Sequence, residues 1–228
     1  MKSIINNHPS YICQIPSPIF QLLKPEEVEL ISNSKTQIIF NKGELLTKQG
    51  AYSSYLLYII KGIVKKHIED SSEKYLNISL HTNDEFIGLS SLFQQNKYIY
   101  TTTALTETQV ILIELSSLNA VIKNNAAFAY ELIKTYCKEN KTIYEILNTI
   151  TFKQMYSKLA RTLLYLDDWN DKNIFNLLNR KEIAAFCGLS VETTVKLLKE
   201  FENDNIIKLI DKSIIILNKE KLLEYSKL

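Results

Sequence analysis

From Thr36 to Leu115 the apolar residues come in short runs rich in Ile, Val, Tyr and Thr, broken by polar clusters with glycine at Gly43, Gly50, Gly62 and Gly88. Runs of that length, punctuated by residues that tolerate turns, read as β-strands. The spacing predicts strands over Gln37 to Asn41, Tyr55 to Ile60, Val64 to Ile68, Tyr75 to His81, Tyr100 to Leu105 and Gln109 to Glu114. Strands spaced in this way form a sandwich or jelly-roll barrel. Ahead of them, Pro16-Ser17-Pro18 imposes an extended entry, and Lys24-Pro25-Glu26-Glu27 starts a short helix expected to reach about Ile31.

At Ser116 the period changes. No glycine follows Gly88 until Gly188, and apolar residues recur at three and four. Ala126, Ala129, Ile133, Tyr136, Asn140, Ile143, Leu147 and Ile150 alternate those spacings through more than three heptads, so a helix of about 25 residues seeks a partner along that seam. The partner is either the barrel of the same chain or a second copy. Asn140 favours a second copy, because a lone polar residue in an apolar seam fixes register and oligomer state. A further helix can carry Met155, Leu159, Leu163 and Leu166 inward before the polar run Asp167 to Asn173, and Ile174-Phe175-Asn176-Leu177-Leu178 can be a strand.

The next segment carries the chemistry. Asn179-Arg180-Lys181-Glu182 has capping-box spacing, Gly188 sits where a turn needs positive φ, and Ser190 can cap a second helix. This is the spacing of a helix-turn-helix, with Ile183, Phe186, Leu189, Val195 and Leu198 offering apolar contacts between its two helices. Ordinary helical hairpins share the spacing, but Ile206 to Ile210, Asp211-Lys212 and Ser213 to Leu217 read as a two-stranded wing directly after it. Val191, Glu192, Thr193 and Lys196 remain outward at the start of the second helix, and together with Ser190 they are the expected contacts to base edges and phosphates in the major groove. Arg180, Lys199 and Lys212 are the expected phosphate contacts.

The order of parts, together with Lys42-Gly43-Glu44, Gln49-Gly50, Tyr58-Ile59-Ile60-Lys61-Gly62, Phe86-Ile87-Gly88, Leu92-Phe93, Leu159-Ala160-Arg161-Thr162-Leu163-Leu164 and Arg180 to Thr193, resembles the Crp/Fnr family of bacterial transcription regulators from about Ile19 to Leu217. The resemblance implies an α+β chain in three parts. These are a cyclic-nucleotide-binding-like jelly-roll β-barrel with an N-terminal helix over 1–124, a dimerisation helix and hinge over 125–151, and a winged helix-turn-helix over 152–228. It also implies a homodimer on a pseudo-palindromic double-stranded DNA operator, RNA polymerase as a further partner, and a small-molecule effector. Ser190-Val191-Glu192-Thr193 is similar to the Fnr-type recognition helix, whose half-site resembles TTGAT, although Val195-Lys196 stands where that type has Ser-Arg. An ammonium lacks the planar fork that grips guanine at two points.

The effector position departs from the cyclic-nucleotide pattern. After Phe86-Ile87-Gly88, that pattern places a Glu for the ribose and, about ten residues on, an Arg for the cyclic phosphate; here stand Leu89 and Tyr98 or Ile99, and no arginine precedes Arg161. Gly88, Leu89, Ser90, Tyr98, Ile99, Tyr100, Ile143 and Tyr144 are the candidate pocket residues, and cyclic AMP is not the expected ligand. The effector and any cofactor stay unassigned, with a cyclic-nucleotide-responsive regulator as the alternative. Three cysteines, Cys13, Cys137 and Cys187, cannot build an intrachain four-cysteine cluster and show no C-x-x-C pair, so no metal is assigned and reduced thiols are expected.

Composition adds limits. With 228 residues, 46% of them hydrophobic, and only five Gly and four Pro, the chain is long and apolar enough for two modest folded domains. Its 27 basic and 25 acidic side chains leave an excess that announces no partner, and what excess there is falls after residue 150. The longest apolar run, Tyr55 to Ile60, is too short to cross a bilayer, and the polar start Met1 to Pro9 lacks a signal-peptide core, so a cytoplasmic protein with no membrane partner is expected. A cupin-like metalloprotein would use the same barrel. It would need clustered ligands, whereas His67 and His81 stand apart, and no enzyme motif occurs.

Overall fold

The computed structural model describes residues 2–4, 11–12, 14–72, 74–92 and 97–228. Cys13, Phe93 and most of the segment weighed against a signal peptide lie outside the described residues. The chain divides into two compact units, residues 1–73 with 79–142, and residues 74–78 with 143–228. The division falls inside the long helix, not at its ends.

The first unit begins with β1 (Lys2–Ile4), α1 (Pro25–Asn33), β2 (Lys35–Phe40), β3 (Leu45–Thr47) and β4 (Tyr55–Lys61). It continues through β5 (Val64–Glu69), β6 (Tyr75–His81, whose first four residues are assigned to the second unit), β7 (Phe86–Ile87), β8 (Thr101–Ala104) and β9 (Thr108–Glu114). Two sheets, ordered β1-β2-β9-β4-β7 and β3-β8-β5-β6, make the jelly roll. All six expected strands are present within a residue or two. The strands that the pattern does not announce, β1, β3 and β7, have three, three and two residues, too few to show alternation.

β4 shows why Tyr55 to Ile60 is an unbroken apolar run. Leu56 and Tyr58 pack with Phe20, Leu118 and Phe128 on the helical side, while Leu57 and Ile59 pack with Phe40, Val64, Tyr98 and Tyr100 inside the barrel. A strand covered on both faces has no polar alternation to display. The helical side comes from α2 (Leu115–Asn124) and the start of α3 (Ala126–Phe152). Asn125 joins them: its Oδ1 accepts the Phe128 amide at 3.0 Å, and its Nδ2 donates to the Leu22 carbonyl at 2.9 Å and the Glu27 carboxylate at 2.8 Å.

α3 departs from the expected seam. Tyr136 is partly buried against the helical-side core of the barrel, so it is withdrawn from the outer face, and Ile150 is half-buried. Ile133, Ile143 and Leu147 are exposed as expected, and so are Tyr130, Cys137 and Tyr144. The stripe Ile133, Cys137, Asn140, Tyr144, Leu147 keeps the alternation of four and three with Asn140 still in its middle. Two apolar faces share this helix, and spacing alone cannot say which residues belong to which.

The second unit holds α4 (Met155–Asp167), α5 (Ile174–Leu177), α6 (Arg180–Cys187), α7 (Val191–Asn203), β10 (Ile207–Ile210), β11 (Ser213–Ile216) and α8 (Lys219–Lys227). Leu159, Leu163 and Leu166 are fully buried on α4, but Met155 is half exposed at its first residue and does not point inward as expected. Ile174 to Leu177 is a helical turn and not a strand. A turn gathers Ile174, Phe175 and Leu178 into the core together, whereas a strand would send Phe175 to the opposite face. Among the described residues no helix is long and apolar enough to cross a membrane.

Candidate functional site

The helix-turn-helix is built by local chemistry. The Asn179 side chain accepts the Glu182 amide at 2.9 Å and starts α6. Gly188 ends it at φ +63°, and the amides of Gly188 and Leu189 both turn back to the Ala184 carbonyl. The Ser190 hydroxyl then accepts the Thr193 amide at 3.1 Å and starts α7. Ile183, Ala184 and Cys187 of α6 are buried, as are Thr194, Leu197, Leu198 and Phe201 of α7. Val195, expected between the helices, is only half-buried, and Thr194 takes the inner place by donating its hydroxyl to the Ser190 carbonyl at 2.9 Å.

What α7 leaves outward is a row of Val191, Glu192, Lys196 and Lys199, with Thr193 half-buried beside it. Val191 is 38% exposed and the Lys196 side chain 79%. The Glu192 carboxyl is held below its ordinary range by its own backbone amide and the Ser190 hydroxyl. It is therefore a carboxylate, an acceptor with no proton to give. Lys196 reaches only as near as 4.0 Å to Glu200, whose carboxylate also accepts the Tyr156 hydroxyl at 2.6 Å.

The wing β10–β11 is antiparallel, with Ile207 opposite Ile216 and Ile210 opposite Ser213. Asp211 turns it at φ +50°, leaving Lys212 exposed at the tip. Glu202 accepts the Leu209 amide at 2.8 Å, so the end of α7 sets the position of the wing. Arg180, expected as a free phosphate contact, is half-buried and donates to the Asp211 carbonyl at 3.4 Å. Burial lowers its pKa, with Glu202 opposing. The bond to Asp211 links the start of α6 to the wing turn. α8, which the sequence pattern does not announce, packs on α4; Arg161 donates from Nε to the Ser226 carbonyl at 2.8 Å.

In the barrel, the candidate effector residues part company. Leu89, Ser90, Tyr98 and Tyr100 are buried, but Ile99 is 49% exposed and does not line the interior. Ile143 and Tyr144 are exposed on α3, at 37% and 73%. Gly88 has φ +102°, and a Cβ there would meet the Tyr98 ring at 3.2 Å. Tyr98 donates its hydroxyl to the Tyr55 carbonyl at 2.8 Å, while the Tyr100 hydroxyl accepts the Gly88 amide at 2.8 Å. Burial first, then the charge of Glu139, pushes the Tyr100 phenol well above its ordinary value. Two tyrosines thus pack against the Gly88 turn. A cavity of about 220 Å³ lies elsewhere, lined by Phe20, Val28 and Ile31 among others.

Sequence reasoning passed over Lys66 and Glu139, which meet inside this unit. Lys66 is 5% exposed, with Nζ 3.3 Å from Glu139 Oε2. The available signal was a pair of lysines, Lys65 and Lys66, inside a predicted strand whose first four residues are all buried. Of the histidines, His67 contacts Glu69 at 3.0 Å and His81 contacts Glu85 at 2.7 Å. Among the described residues, no three His, Cys, Asp or Glu side chains gather as metal ligands.

A β-barrel of effector-binding type, a long helix and a winged helix-turn-helix with a polar recognition row define a DNA-binding transcription regulator. Known sequences agree: the Crp-like helix-turn-helix domain matches residues 157–225 and the cyclic nucleotide-binding domain matches residues 37–125. The chain belongs to the Crp/Fnr family of transcription regulators, which are not enzymes. It is 24% identical over 212 residues to a CRP-like cAMP-activated global transcriptional regulator of Mycobacterium tuberculosis, covering 90% of this chain and 94% of that one. To the cAMP-activated global regulator CRP of Salmonella typhimurium it is 27% identical over 177 residues, 75% and 84% of the two chains. A solved Crp/Fnr-family regulator from Eubacterium rectale has the same fold, with TM-score 0.80, 18% identity, and coverage of 92% of this chain and 98% of that one.

Proposed function

We propose that the chain works as a homodimer that binds a pseudo-palindromic DNA operator through two recognition helices and regulates transcription there. The carrying observation is the exposed row Val191, Glu192, Lys196 and Lys199 at the start of α7, with Lys212 on the adjoining wing. Hydrogen-bond acceptor, apolar contact and cations stand in the first turns of a helix sized for the major groove. The exposed stripe of α3 supports pairing with a second copy. Two such helices related by a two-fold axis would lie about 34 Å apart, one turn of DNA. RNA polymerase contact follows from the family reading. Binding selection on genomic fragments tests the proposal: an enriched inverted repeat supports it, and enrichment without two-fold symmetry overturns it.

The barrel is read as an effector-type domain that does not take cyclic AMP in the ordinary way. The two relatives described above are cAMP-activated by name. In this chain, however, Leu89 follows Gly88 and no arginine precedes Arg161, so nothing offers a phosphate a bidentate donor. Tyr98 and Tyr100 pack against the Gly88 turn. Calorimetry with millimolar cyclic AMP should give no binding heat; a micromolar Kd would return the chain to the cyclic-nucleotide-responsive alternative.

A further inference from the structure

Lysine ammonium groups almost never leave water unless something pairs them. Lys66 of β5 has left it: 5% of the residue is exposed, and its Nζ lies 4.8 Å from the centroid of the Tyr100 ring. The ring face offers part of the compensation. The rest comes from α3, whose Glu139 carboxylate stands 3.3 Å away with 19% of its side chain exposed. Tyr100 continues the chain of contacts by accepting the Gly88 amide at 2.8 Å. One path therefore runs from the Gly88 turn through Tyr100 and Lys66 to Glu139 on the long helix, and every group on it belongs to this chain.

A buried cation inside a barrel is a site for an anion. The domain matched over residues 37–125 is named for anionic ligands, the cyclic nucleotides, yet the anion at Lys66 is a carboxylate of the protein. We propose that Glu139 is a built-in ligand of the barrel. Its carboxylate fills the anion position at Lys66 and seats the first half of α3 on Tyr100 and the Gly88 turn with no small molecule present. On this reading the ordering of α3 is supplied from within the chain. The same geometry defines what could compete: a small monocarboxylate, large enough to reach Lys66 and small enough to occupy the volume of the Glu139 head group. The proposal rests on reading the barrel as an effector-type domain and on no DNA contact.

Chemical rescue in the full-length protein tests it. Glu139→Ala should raise the hydrogen-exchange rates of α3 amides between residues 132 and 142 at least tenfold, because Lys66 loses its partner. Sodium acetate at tens of millimolar should restore most of that protection, and sodium chloride at equal ionic strength should not. Lys66→Met, which keeps the bulk beside Tyr100 and removes the charge, should leave Glu139 unpaired and show the same loss without rescue. Wild-type protection in Glu139→Ala, or equal rescue by chloride, would overturn the proposal. Should Glu139→Ala fail to fold, Glu139→Gln carries the comparison: reduced α3 protection supports the built-in ligand and retained protection sinks it. None of these readouts involves DNA, so a chain that selects no operator yet shows acetate rescue would fail the functional reading and keep this one.

Discussion

In the proposed complex Glu192 is set against its setting: a carboxylate aimed at a polyanion is unfavourable unless a base donates to it. Cytosine N4 is the major-groove donor that suits it, and the lowered pKa keeps Glu192 an acceptor throughout the neutral range. Glu192→Ala should therefore relax discrimination at one C·G pair of each half-site by roughly tenfold, measured on a panel of single-base operator changes. Unchanged discrimination everywhere would make Glu192 a residue that only orients its neighbours. Cys187 gives a second residue-scale prediction. Burial pushes its thiol up to about 12, against about 8.5 in an unfolded chain. The folded state holds the proton more tightly, so this contribution is full below the unfolded pKa and is lost as pH rises towards 12. The stability advantage of wild type over Cys187→Ala should accordingly shrink between about pH 8 and pH 11, by urea titration at each pH. A constant difference would mean that the thiol is not the buried neutral group described.

At the scale of the element, the proposed pairing rests on α3. Ile133, Cys137, Asn140, Tyr144 and Leu147 form its outward stripe, and Leu147→Glu should place like charges across a two-fold seam and give a monomer at micromolar concentration by sedimentation. Alkylation supplies an independent check: Cys137 should react more slowly as dimer forms, while Cys187, 1% exposed, should stay unreactive at every concentration. A Leu147→Glu dimer, or a Cys137 rate independent of concentration, would place the partner surface elsewhere. The barrel strands were legible because glycine turns separate them, and the helix-turn-helix because Asn179, Gly188 and Ser190 each do a local job that residue type reveals. The seam was legible only in period. Tyr136 has the right spacing but packs inward, a fact that depends on where the barrel surface lies. α5 read as a strand because four residues carry too little period to tell a turn from an extended run. The Lys66–Glu139 pair joins residues 73 positions apart, and no local pattern marks it.

The molecule as a whole carries a net charge of only +2, so its field cannot draw it to DNA without segregation of charge onto one face. The exposed cations of α7 and the wing are the proposed source of that face: Lys196 and Lys199 are exposed on α7 with Val191 and Glu192, and Lys212 is exposed at the wing tip. Arg180 differs, since it is half-buried and donates to the wing turn at the Asp211 carbonyl. The two kinds of residue should separate in a salt titration. Every phosphate that a cation no longer neutralises takes about 0.9 off the slope of log K against log salt, so a dimer without Lys199 in both halves should become shallower by about 2. Lys199→Ala and Lys212→Ala should weaken consensus and mismatched operators by the same factor, because a phosphate carries no sequence. Arg180→Ala should instead lower Tm together with affinity, as the wing loses its tie to α6. Fluorescence anisotropy at several salt concentrations, run beside thermal melts, decides the matter: a Lys199→Ala slope equal to wild type would show that this lysine faces solvent even on DNA.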